Sequence, residues 1–337
     1  MKNSAWSALL FCLGAASASA QITLNVNSWV PPGHVIMTGM VQPWCADVAR
    51  ATSNRVTCNI LPKAVVAPPQ TFDAVKDGVV DLSFTVHGYT PGRFVLSAAV
   101  EFPFSSGAGA EATAVAYQRI YDRMLAKANE HKGVVTLAVF THGPGQIYNT
   151  RRPITSVKDL EGLKIRVGGG EVNDITKALG AIPMLKPASE SYEILSSGVA
   201  DGLFFPKESP LSFKLVPLIK HATYVPGGLY NVSFMFIMNP NTWANIGKAD
   251  QDSILRLCGE AFARRAGQAW DSADAKGEAA VREAKIPVQI AGAKFLDEIR
   301  QRTASLEATW IAKANAKGVD GAAVLKALRA EIAALSK

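Results

Sequence analysis

Leu163-Lys164-Ile165-Arg166-Val167-Gly168-Gly169-Gly170-Glu171 reads as a strand, a glycine turn and the first residue of a helix. Successive strand residues face opposite ways, so Leu163, Ile165 and Val167 share one face and Lys164 and Arg166 the other. A helix over Glu171–Leu179 follows, with Gly180 as its stop. The same grammar continues downstream: strand Ile182–Leu185, helix Ser189–Ser197, strand Asp201–Phe205 and strand Ser233–Asn239. Upstream it predicts strand Ile22–Val30, helix Val35–Thr52 with a kink at Pro43, strand Arg55–Leu61, helix Pro68–Gly78, strand Val79–Val86, helix Ala110–Glu130 and strand Gly133–Phe140. Two runs of βα units predict an α/β fold of two lobes, each an open, mostly parallel sheet flanked by helices.

From Lys248 to about Lys285 one helical pattern runs without proline. A helix of roughly 36 residues would be about 54 Å long, enough to span both lobes. Further helices are expected near Lys294–Ala316 and Gly321–Ser336. A tandem pair of domains shows a linker at its boundary. None is visible here, which favours lobes joined by several crossings: lobe I from 21–143 plus about 234–272, and lobe II from 144–233 plus about 273–337.

The N-terminus predicts where the chain works. Lys2, the apolar run Ala5 to Ala16 and then Ala18-Ser19-Ala20 form a secretory signal peptide, with cleavage near Ala20 and residues 1–20 lost. The run is too short for a transmembrane helix. Cys12 raises a lipoprotein reading, but Phe11 stands where a small residue is required. The expectation is a soluble periplasmic protein. Cys45 lies on the first predicted helix. Cys58 lies on the next strand, facing the same way as Val56 and Ile60, toward that helix. A Cys45–Cys58 disulfide fits an oxidising compartment, leaving Cys258 as a buried free thiol.

Of the 337 residues, 48% are hydrophobic and 19% charged, a globular composition. Lys and Arg outnumber Asp and Glu by 35 to 28, but the basic residues are dispersed among acids. That excludes a nucleic-acid stripe and leaves either a solubilising charge or a weak field favouring anions. The five histidines are scattered without metal-ligand spacing, so no metal is expected. Gly168-Gly169-Gly170 lacks the spacing of a nucleotide loop, so no cofactor is expected. A tight βα turn is the better reading, although a helix N-terminus there can help hold an anion. No nucleophile–base pair is evident, which argues against an enzyme.

Arg166 is the leading candidate for function. It stands at the carboxyl end of its strand, where ligands lie in open α/β sheets. A guanidinium there grips a carboxylate through two parallel hydrogen bonds. The competing reading is a solvated edge arginine or a structural ion pair. Other strand ends carry Trp29, with His34 beyond it, then His87 and Tyr89, Gln146, Phe204 and Phe205, and Tyr230 with Asn231. Each aromatic alone reads as core. Together they predict an apolar cleft with few polar anchors, the usual make-up of a small-molecule site.

These segments resemble a known family. Asp159-Leu160-Glu161-Gly162-Leu163-Lys164-Ile165-Arg166-Val167 is similar to the central signature of the DctP-type periplasmic substrate-binding proteins of TRAP transporters. So are Gly78-Val79-Val80-Asp81, Tyr89-Thr90-Pro91-Gly92-Arg93-Phe94, Gly198-Val199-Ala200-Asp201-Gly202, and Asn239 followed by Trp243. The resemblance implies a two-lobed binding protein that closes over an organic acid and delivers it to the membrane subunits of a TRAP permease; the chain is expected to act as a monomer. It implies that Arg166 holds the carboxylate. In the segment similar to "G-x-R-x-x-x-N", Gly143 to Asn149, Gly145 replaces a second arginine. In that similar to "D-G-x-x-N-P", Phe205 replaces asparagine. Both changes point away from sialic acids and C4-dicarboxylates, toward a monocarboxylate such as a 2-oxo, 2-hydroxy or aromatic acid, with Gln146 available to a second oxygen. The alternatives are a ligand sensor docking on a receptor kinase and, further off, a periplasmic enzyme or ferric-ion binder.

Overall fold

The computed structural model describes residues 21–107 and 109–336. The expected leader and its cleavage site lie outside them. Eleven strands form two sheets among these residues. β1 (Ile22–Val26), β2 (Val56–Ile60), β3 (Leu82–Val86), β4 (Val135–Thr141) and β10 (Ser233–Met238) make the first, in the order β2-β1-β3-β10-β4. β5 (Gln146–Asn149), β6 (Lys164–Val167), β7 (Ile182–Leu185), β8 (Gly202–Phe205), β9 (His221–Tyr224) and β11 (Val288–Ile290) make the second, in the order β11-β9-β5-β8-β6-β7. Each sheet is parallel apart from one strand. β10 runs antiparallel to β3 and β4, and β5 runs antiparallel to β8 and β9. Both reversed strands enter from the other lobe, so the exceptions mark the crossings. There the two connections pair: Gly145 N–H donates to Tyr230 O and Leu229 N–H to Gly145 O, both at 2.9 Å.

The same device locks each sheet. Gly78 and Gly198 adopt φ of +76° and +72°, and each is followed by an aspartate three residues on. Asp81 accepts from Asn25 N–H of β1 and Asp201 from Lys164 N–H of β6. Asn239 caps the Pro240–Asn245 helix through Asn241 N–H and Thr242 N–H. Asp159 closes a capping box with Ser156. These positions of the family-like segments are therefore structural.

The Gln42–Ala51 helix covers β2, and Cys45 and Cys58 are joined with their Cα atoms 5.7 Å apart. Cys258 is free and buried, and burial pushes its thiol up to about 12. The expected helix from Lys248 to Lys285 is instead two, Lys248–Leu255 and Glu260–Glu283. Gly259, at φ +55°, breaks it and donates its N–H to Leu137 O of β4. The 24 residues that remain, about 36 Å, still meet both lobes. Phe262 stacks on Phe236 of the first sheet, with centroids 4.5 Å apart. Glu278 pairs with Lys207 beyond β8. The Gly321–Leu335 helix departs from its expected grouping with lobe II: it packs on the Ala110–Ile120 helix of the first lobe, in a cluster of Tyr117, Trp310, Leu328 and Val139. No helix among the described residues is long and apolar enough to cross a membrane.

Candidate functional site

The strand ends of both sheets converge on one small cavity of about 40 Å³. The first lobe supplies Trp29, His34, Tyr89 and Phe234. The second supplies Arg166, Phe205 and Phe213. His142 and Tyr230 enter on the two crossings, and Trp270 from the Glu260–Glu283 helix.

Arg166 is only 2% exposed. Its Nε donates to Lys186 O at 2.9 Å, and its guanidinium carbon lies 4.4 Å from the centre of the Phe205 ring. No carboxylate pairs with it among the described residues. Burial therefore lowers its pKa, opposed by the nearby Tyr89 and Tyr230 hydroxyls. The Tyr89 hydroxyl accepts from Ala188 N–H at 3.0 Å, tying the first lobe to the second. Burial raises the pKa of Tyr89 and Tyr230, so both phenols stay neutral. Trp29 is held by its indole N–H to Phe84 O at 2.9 Å and packs on the edge of Tyr89. The wall is thus aromatic and pre-formed, with one cation in it.

A second polar group bounds the cavity. His34 Nδ1 accepts from Ile36 N–H, so the neutral ring carries its proton on Nε2, which faces Glu208 Oε1 at 3.4 Å. Burial pushes His34 down to about 3 and Glu208 up to about 7. The contact is a neutral imidazole facing a carboxyl, not a formed ion pair. Asp274 accepts from Glu208 N–H at 2.8 Å, and burial, then the Glu208 charge, push it up to about 8.

Six of the expected residues line the cavity: Arg166, Trp29, His34, Tyr89, Phe205 and Tyr230. Four do not. Gln146 Oε1 accepts from Val225 N–H and Nε2 donates to Pro144 O, so its amide secures a crossing. Asn231 joins Ser106 Oγ and its neighbour's N–H at Val232. Phe204 is fully buried and packs behind Tyr230. His87 stacks on His131, with Nε2 atoms 2.9 Å apart. Phe234, at a strand end like Tyr230, also lines the cavity, and so do His142, Phe213 and Trp270, which no strand-end pattern marks. The glycine at 145 has a physical cause: a Cβ there would lie 2.1 Å from Cε1 of Tyr230. Tyr230 fills the space a side chain at 145 would take.

The triple glycine is also explained. A Cβ on Gly169 would lie 2.1 Å from Gly88 O, and one on Gly170 would lie 2.2 Å from Glu101 Oε2. The two lobes meet here backbone to backbone. The group at the start of the Glu171–Ala178 helix is the protein's own carboxyl: Glu101 accepts from Glu171 N–H at 2.9 Å and from Ser233 N–H and Oγ.

Residues 26–313 match the DctP family of bacterial extracellular solute-binding proteins, family 7. The chain belongs to that family. A TRAP periplasmic solute-binding protein from Bordetella bronchiseptica, solved with bound (R)- and (S)-mandelate, is 46% identical. It superposes with a TM-score of 0.91, covering 93% of this chain and 99% of that one. A marine-metagenome TRAP solute-binding protein specific for aromatic acids, solved with 3-hydroxybenzoate, is 34% identical, with a TM-score of 0.89 over 95% and 100% of the two chains. The "outer membrane transporter protein TsaT" of Comamonas testosteroni is 30% identical over 328 residues, 97% of this chain and 96% of that one. The solute-binding proteins of this group work in transport from the periplasm, with membrane permease components, and bind organic acids.

Proposed function

We propose that this solute-binding protein captures an aromatic monocarboxylate between its lobes through Arg166 and hands it to a TRAP permease, as a monomer freed of its leader near Ala20. One observation carries the reading: a buried arginine without a protein anion, in a cavity otherwise walled by rings. An anionic group of the ligand completes it through the paired hydrogen bonds that a guanidinium offers. Phe205, Phe213, Trp29 and Phe234 receive an aryl ring. A C4-dicarboxylate would bury its second charge against those rings with no second arginine at Gly145, which is unfavourable. Mandelate and 3-hydroxybenzoate in the similar proteins support the same class. The crossings Gly143–Thr150 and Ser233–Asn239 are the segments about which closure is proposed to occur.

Thermal shift and calorimetry test this with mandelate, benzoate, the corresponding amides and succinate. An acid at 100 times its Kd stabilises by about 2.7 kcal/mol. The aryl acids are expected to bind and the amides and succinate to fail. Amides binding as tightly as acids, or succinate binding best, would overturn the proposal.

A further inference from the structure

Two polar atoms in the cavity wall have no partner. His142 is 4% exposed and Trp270 is 2% exposed. Nε2 of His142 and Nε1 of Trp270 are buried without a hydrogen bond. Buried polar groups are nearly always paired, so such orphans call for an explanation. Their rings are neighbours, with centroids 6.0 Å apart and planes at 70°, and both line the cavity.

The tautomer of His142 is fixed. Its Nδ1 contacts Gly143 O, and a carbonyl only accepts, so Nδ1 carries the proton. Burial lowers its pKa to about 4, so the ring is neutral near pH 7. Nε2 is therefore a bare acceptor. Indole Nε1 only donates. In the other histidine of the wall, Nδ1 accepts from Ile36 N–H and Nε2 faces Glu208 Oε1 at 3.4 Å. Apart from the guanidinium of Arg166, the cavity wall thus holds one buried acceptor and one buried donor without partners.

We infer that the ligand carries a hydroxyl group that donates to Nε2 of His142 and accepts from the Nε1–H of Trp270. A hydroxyl alone among small substituents does both at one oxygen. An oxo group only accepts and leaves Nε2 unpaired. A hydrogen in its place leaves both orphans buried, and a site built to bond a hydroxyl rejects the analogue lacking it. The inference rests on the aryl-carboxylate reading above and adds the specificity within that class.

Calorimetry on the full-length mature protein tests it with mandelate against phenylacetate, 3-hydroxybenzoate against benzoate, and mandelate against phenylglyoxylate. The first two pairs tell a hydroxyl beside the carboxylate from one on the ring. At least one hydroxylated acid should bind about ten- to a hundredfold tighter than its deoxy partner. Where mandelate is the preferred acid, it should also outbind the oxo acid. The ratio should shrink to about threefold or less in His142→Phe and fall in Trp270→Phe. Equal binding within both deoxy pairs overturns the inference while leaving the aryl-carboxylate reading intact. A ratio that survives in both variants also overturns it. Failure of all five acids to bind removes that reading and the inference with it. Should either variant fail to fold, the wild-type pairs decide alone.

Discussion

Replacing Arg166 by methionine separates binding from stability. In the ligand-free protein the substitution removes a buried cation, whose desolvation costs several kcal/mol. It also removes the stacking on Phe205, about 2 kcal/mol for a desolvated cation, and the bond from Nε to Lys186 O, about 1.5–3 kcal/mol for a charged donor. These contributions oppose and nearly cancel, so urea unfolding of the empty protein should shift by less than about 2 kcal/mol. Ligand binding should behave otherwise. A carboxylate left unpaired in the closed cavity costs about 2–5 kcal/mol, or roughly 30- to several-thousand-fold in Kd. Arg166→Lys keeps the charge but loses the planar fork, so it should recover only part of that loss. Calorimetry and urea titration on one protein preparation give both numbers. Binding within about threefold of wild type in Arg166→Met would show that the carboxylate lies elsewhere. Loss of more than about 4 kcal/mol from the empty protein would show a structural arginine.

The disulfide and the buried carboxyls each give a further test. Reducing the Cys45–Cys58 bridge, which closes a loop with sequence separation 13, should lower stability by about 3 kcal/mol; an unchanged urea midpoint in reductant would contradict this, and Cys258 should resist thiol labelling until the chain unfolds. Stability should also rise as pH falls from about 8 to 7. Asp274 and Glu208 are raised in the folded state to about 8 and about 7 from ordinary values of 3.8 and 4.5, so the folded protein binds their protons more tightly and loses that advantage as pH rises through the window. Histidines of ordinary pKa 6.5 are largely neutral in both states there. Below it, the lowered pKa values of His34, His87, His131 and His142 act with the opposite sign. A melting-temperature profile that is flat over this range, or unchanged in Asp274→Asn, would refute the assignment.

Alternation along single strands carried much of the fold and the main anchor. It placed Arg166 at the carboxyl end of β6 on the face opposite Ile165, and Cys58 toward the helix that bears Cys45. Alternation also decides between Phe204 and Phe205, which point opposite ways from β8; only Phe205 reaches the cavity. The remaining wall is set by tertiary contacts that no local pattern encodes. Trp270 is one apolar residue among several on an amphipathic helix, and nothing in its spacing marks it from core. His142 precedes a Gly-Pro-Gly turn whose path depends on Tyr230, from the other crossing. His87 stands at a strand end like the true wall residues, but its partner, His131, lies 44 residues away in sequence. The break at Gly259 depends on a bond to Leu137, so a window without proline read as one helix. β11, with three residues, is too short to show a period.

On the proposed reading, the placement of Arg166 couples binding to closure. The lobes meet around the cavity through Tyr89 with Ala188, Gly88 against Gly169, Glu101 with Glu171, and His34 with Glu208. None of these contacts brings an anion to Arg166. Closing an empty cavity therefore strips water from a guanidinium and returns no counter-charge, which favours the open form. A ligand carboxylate reverses that balance. Moving an equilibrium from 1:99 to 99:1 takes about 5.5 kcal/mol of differential affinity, while one buried carboxylate–arginine contact carries about 2–5 kcal/mol. The carboxylate alone falls short, and the shortfall must come from surface that exists only when both walls are present. Arg166, Phe205 and Phe213 belong to the second lobe; Trp29 and Phe234 belong to the first. A ring that spans them contacts both lobes only in the closed form. On that reading the acid group and the ring act together in closure, as an aromatic wall opposite a single cation would require.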